Sequence, residues 1–81
     1  MRTLKRIIYI YEEEFVVSGH RFKSEMSISD RNTLYYLYDH EKNDQIIASG
    51  ITTYLGLIAI AEAYLTGNST SLAEAKYRNC I

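Results

Sequence analysis

The sequence predicts an α+β domain: an antiparallel meander of three or four strands packed by one long C-terminal helix, with a short terminal helix after it. Three observations carry this prediction. Up to Ser49 the chain is a series of strand-like segments, alternating with period two over Thr3–Tyr11 and Arg21–Ile28 and rich in β-favouring residues over Thr33–Tyr38, interrupted by turn clusters. The run from Ile51 to Leu65 is apolar or small throughout except for Glu62, and is bracketed by Gly50 and Gly67. The strand-like segments all precede the helix-like ones, the order of an α+β fold rather than of alternating βα units.

Thr3 to Tyr11 sets Leu4, Arg6, Ile8 and Ile10 on one face of a strand and Lys5, Ile7, Tyr9 and Tyr11 on the other. The same stretch puts Leu4, Ile8, Tyr11 and Phe15 at heptad spacing, so residues 3–17 fit either strand or helix. Ser18-Gly19 reads as a turn. From Arg21 to Ile28 the alternation of Phe22, Ser24, Met26 and Ile28 against Arg21, Lys23, Glu25 and Ser27 predicts a half-buried strand. A turn cluster at residues 29–32 leads to a strand over Thr33–Tyr38, and the polar loop Asp39–Asp44 connects it to a returning strand, Gln45–Ser49. Thr52 or Ser49 is placed to cap the long helix, and Gly67-Asn68 to end it. Ser71 and Glu74 have capping-box spacing, which starts the terminal helix near Leu72.

With 81 residues, no proline and no linker-like stretch, residues 1–81 read as a single compact domain with a modest core. A net charge of −1 provides no strong field toward nucleic acid or anionic lipid. One cysteine, Cys80, excludes an internal disulfide and fits a reducing, cytoplasmic setting. The N-terminus starts with basic residues as a signal peptide does, but its apolar run is short and closed by three glutamates, so it reads as mature protein. Residues 46–65 are long enough to span a bilayer, yet Ser49-Gly50 breaks the run and Glu62 would sit in hydrocarbon, so no membrane span is expected.

At 100° per residue, Ile51, Leu55, Ile58, Glu62 and Leu65 form one line of the helix, and Thr53, Leu57, Ile60 and Tyr64 nearly the opposite one. Between them runs a seam of small residues, Thr52, Gly56, Ala59 and Ala63, which lets another backbone approach closely. One sheet cannot cover both large stripes. The expectation is that Ile51, Leu55 and Ile58 face the sheet, while Thr53, Leu57, Ile60 and Tyr64, with Gly56 and Ala59, meet a second copy across a two-fold axis. A terminal helix folded back over the helix is the competing account. Glu62 interrupts the first stripe and is a candidate buried carboxylate, for which Arg6, Arg21 or His20 would be the partner.

No catalytic, cofactor or metal constellation is legible. Asp39, Glu41 and Asn43 imitate the start of a calcium loop, but Asp44 stands where glycine is required and Gly50 where a bidentate glutamate is required. His20 and His40 have no ligand spacing around them, and the glycines fall in no phosphate cradle. The eight tyrosines supply rigid contact area with a polar tip. The expected function is therefore that of a small, non-enzymatic interaction protein, homodimeric through its long helix, which presents Tyr35, Asp39, His40 and Glu41 to a protein target. Regulators and inhibitors from phage or mobile elements are compact chains of this kind, an analogy at the level of class. The alternative is a module binding single-stranded nucleic acid through a sheet face bearing tyrosines and Arg6 or Arg21.

Overall fold

The computed structural model describes residues 7–29 and 32–81. Within them the chain folds as four antiparallel strands in the order β1-β2-β3-β4, followed by two helices. β1 spans Ile7–Val17 and β2 His20–Ser29, so the described part of residues 3–17 is strand and not helix. The predicted strand residues 3–6, with Arg6, lie outside the described residues. From Tyr9 to Val17 each residue of β1 has a partner in β2, running from Ile28 back to His20. Ser18 and Gly19 both take positive φ, 50° and 81°, the type I′ geometry whose twist matches that of the strands it joins.

β3 (Thr33–Asp39) and β4 (Gln45–Ile51) are connected by a 3-10 turn at His40–Lys42 and by Asn43 and Asp44 in the left-handed region. β4 runs two residues beyond the predicted Ser49, because Ile51 pairs with Tyr35 and fills the core as the end of a strand. The long helix therefore begins later than the sequence suggests: α1 spans Tyr54–Leu65, and its cap is Thr53, whose Oγ1 accepts from the Gly56 N–H at 2.9 Å. Gly67 follows its end at φ +73° and donates its N–H to the Tyr64 carbonyl. α2 spans Ser69–Asn79, earlier than predicted, because the Asn68 side chain caps it by accepting from the Ser71 N–H at 2.9 Å.

The core lies between the sheet and α1. Phe22, Leu37 and Ile51 from the strands meet Leu57, Ile60 and Ala61 from α1, all fully buried. This reverses the predicted orientation of the helix: Leu57 and Ile60 face the sheet, while Leu55, expected to face it, is 81% exposed. The small-residue seam supplies the reason. A Cβ on Gly56 would fall 2.7 Å from Asn79 Oδ1 and 2.9 Å from Asn79 Cβ, so the backbone that approaches there belongs to α2 of the same chain. With Gly56 turned to α2, the next face around the helix, carrying Leu57, Ile60 and Tyr64, meets the sheet, and Leu55 points away.

The C-terminus is tied down on the other side of that contact. The Asn79 carbonyl accepts from the Thr52 N–H at 2.9 Å, Ile81 donates to the Gly50 carbonyl at 2.9 Å, and Cys80 bridges Ile51. Gly56→Ala is expected to destabilise the domain, although alanine favours helix by about 1 kcal/mol, because overpacking a closed contact costs about 1–3 kcal/mol. A urea midpoint lower than that of the unmodified chain checks this; a higher one would mean that α2 does not pack on Gly56.

Candidate functional site

The only polar side chains fully or nearly withdrawn from solvent among the described residues are Ser24 and Asp39. Asp39 continues the alternation Tyr35, Leu37, Asp39 along β3, and so enters the core where α1 ends. Its Oδ2 accepts from the Tyr64 hydroxyl at 2.5 Å, and its Oδ1 lies 2.8 Å from His20 Nε2 and accepts from the Glu41 N–H at 3.0 Å. Burial pushes the Asp39 carboxyl up, but the hydrogen bonds from Tyr64, His20 and the Glu41 amide outweigh it and leave it below the ordinary carboxylate range. As an ionised carboxylate only accepts, His20 Nε2 is the donor. The same bond to Asp39, aided by burial, raises the Tyr64 hydroxyl to about 12. His20 rests against Phe22 with ring centroids 4.9 Å apart, and its Nδ1 lies 3.7 Å from Glu41 Oε1. The Asp39–His20–Tyr64 group thus ties the first hairpin, the β3–β4 loop and the last turn of α1 together.

A second pairing forms on the other face of the sheet. His40 Nδ1 lies 2.7 Å from Asp44 Oδ1, and Lys23 Nζ 3.4 Å from Asp44 Oδ2, contacts that hold the Asp44 carboxyl below its usual range. Around them, on the face that neither helix covers, stand Glu12, Glu14, Glu25, Tyr36 and Tyr38. The Tyr38 hydroxyl donates to Glu25 at 2.8 Å; burial and that carboxylate raise it to about 12. Glu12, Glu14, Glu25 and Asp44 outnumber Lys23 and Arg21 on this face, which makes it unwelcoming to phosphates, and Glu41 lies beside Arg21, accepting from its backbone N–H at 2.9 Å and standing 3.9 Å from its Nε.

The third feature is apolar. Tyr54 (41% exposed) and Leu55 open the first turn of α1, and the Tyr54 hydroxyl is raised by burial, by the nearby Glu13 carboxylate and by Tyr35 and Tyr11. Tyr54 therefore marks the side of α1 that overhangs β1, opposite to the side taken by α2. Tyr11 is itself 44% exposed, and Phe15, Val17, Ile58 and Leu65 are only partly covered along the margin of the core. The result is a flank of rings and aliphatic side chains, with the Glu13 carboxylate among them, beside a strand edge.

The predicted sites are redistributed accordingly. Of the expected partner stripe, Leu57 and Ile60 are core, Gly56 is covered by α2, and Tyr64 is bonded to Asp39; Thr53 and Ala59 remain exposed. Of the expected target surface, Asp39 is buried and Tyr35 packs under the helix with its ring centroid 6.0 Å from that of Tyr54, which leaves His40 and Glu41 outside. Glu62 is exposed and is not the buried carboxylate. Asp39 holds that place, and the period-two alternation of β3 was the signal for it. Among the described residues no group of His, Cys, Asp and Glu is arranged to hold a metal ion, and no helix is long and apolar enough to cross a membrane. Comparison with protein-family models, curated proteins and solved structures finds no match, so the functional reading rests on this geometry.

Proposed function

We propose that the chain is a small, non-enzymatic interaction protein of regulatory type that docks a protein partner on the flank formed by the first turn of α1 and by β1. The observation that carries this reading is Leu55. Leu55 is 81% exposed in the same helical turn as half-exposed Tyr54, whose ring lies near Tyr11 on β1, and together they make an apolar surface suited to a contact. The seam that suggested a second copy is occupied by α2, which shifts the reading from self-association toward a different protein. The buried His20–Asp39–Tyr64 group supports a binding rather than a catalytic role, because its acceptors are used within the fold.

Leu55→Glu tests the proposal. It is expected to leave the unfolding free energy within about 0.5 kcal/mol of that of the unmodified chain, as surface substitutions do, and to abolish co-purification of the partner captured from the native host. Equal recovery of that partner by a folded Leu55→Glu protein would contradict the proposal.

A further inference from the structure

The two edges of the sheet are protected in different ways. β4 carries two register shifts against β3, and its end is covered by Cys80 and Ile81. Such bulges and coverings keep an edge from templating another strand. β1 pairs with β2 without a shift from Tyr9 to Val17, and among the described residues nothing pairs with its other side. The two-residue type I′ turn makes Val17 and His20 a hydrogen-bonded pair, so the amides of Phe15, Glu13 and Tyr11 also point at β2. Those of Val16, Glu14 and Glu12 are directed to the open side. Past the register shift between Ile7 and Tyr9, what guards this edge among the described residues is charge: Glu12 and Glu14 are 57% and 67% exposed, with Lys23 at 3.9 Å and His40 at 3.6 Å as their neighbours.

We propose that the open edge of β1 accepts an extended, basic segment of a partner protein as a fifth strand, with lysine or arginine facing Glu12 and Glu14 and apolar residues facing the α1 flank. This rests on the interaction reading above and names the chemistry of the partner. A strand laid along β1 places alternate side chains on the two faces. On the helix side they land beside Tyr11, Glu13 and Phe15, below Tyr54, so the segment carries a polar or basic residue opposite Glu13; on the other side they meet Glu12, Glu14 and Val16. A second copy fits badly in the register centred on Glu13, which sets Glu13 against Glu13 and Glu12 against Glu14.

The probe is a blocked synthetic peptide alternating lysine with valine, titrated into the full chain with amide exchange read residue by residue. Saturable binding is expected, weakening at least tenfold as salt rises from low to physiological strength, and at least tenfold again in the exposed-residue double variant Glu12→Lys with Glu14→Lys. Exchange is expected to slow at the amides of Glu12, Glu14 and Val16. Absence of binding at low salt, binding that leaves those three amides unprotected, or protection of them by self-association of the chain without peptide would each overturn the proposal. If Leu55→Glu abolishes partner capture while the peptide fails to protect the edge, the flank reading stands and the fifth-strand proposal falls.

Discussion

Leu57→Ala is expected to lower the unfolding free energy by about 2–5 kcal/mol, whereas Leu55→Ala, two residues earlier in the same helix, is expected to change it by less than about 0.5 kcal/mol. The two leucines have the same chemistry and nearly the same helical context. They differ in what surrounds them: Leu57 is fully buried among residues of the sheet, and Leu55 is in water. Truncating Leu57 removes transfer free energy and opens a cavity that the packed sheet beneath it cannot collapse to fill. Domains of this length are stable by about 4–12 kcal/mol, so a loss of this size takes a large share of the total. Glutamate at Leu57 or Ile60, which would split a dimer under the stripe assignment drawn from sequence, instead buries a charge in the core and unfolds the chain. Chemical denaturation of the two alanine variants gives the answer directly.

Asp39→Ala is the second large effect, at about 3 kcal/mol. It leaves the Tyr64 hydroxyl and the Glu41 N–H without the carboxylate that accepts from them, and removes the cap of the 3-10 turn. Tyr64→Phe removes one of these bonds and is expected to cost about 1–2 kcal/mol. The pH dependence follows in sign. The folded Asp39 carboxyl lies below its unfolded value of 3.8, so its contribution is complete above pH 3.8 and is lost as pH falls through the lower, folded value. Tyr64, raised to about 12 from 10.0, contributes fully below pH 10 and loses that contribution as pH rises through 12. In denaturation series the unmodified chain is therefore expected to lose stability below pH 3.8, and Asp39→Asn to show a shallower acid limb. An acid limb unchanged by Asp39→Asn would place the titrating group elsewhere.

Much of the fold was legible because the sequence is locally consistent. The alternation of Phe22, Ser24, Met26 and Ile28 in β2, the Ser18-Gly19 turn and the β3–β4 hairpin all follow from period and turn chemistry, and the structure repeats them. The start of α1 was misread because β-branched Ile51 and Thr52 suit an extended chain as well as a helix, and only the pairing of Ile51 with Tyr35 decides between them. The orientation of α1 was misread for a related reason. A helix apolar on every side carries no signal for which side turns inward, and the rotation is set by where α2 lands on Gly56, a tertiary fact. Sequence did mark the seam Thr52, Gly56, Ala59 and Ala63 as a place of close backbone approach; the approach occurs at Gly56 and Thr52, against Asn79, while Ala59 stays exposed, and sequence could not say that the backbone was the chain's own. Nor did it bring His20 and Tyr64 to Asp39, since those contacts span 19 and 25 residues of chain.

The assignment of the two helix faces underlies both the stability predictions and the docking proposal, and native-state thiol labelling tests it most directly. In a Cys80→Ser background, Leu55→Cys is expected to react with a water-soluble alkylating reagent at nearly the rate of an unfolded thiol, while Leu57→Cys reacts only as fast as the domain unfolds. Slow labelling at position 55 together with fast labelling at position 57 would contradict the account.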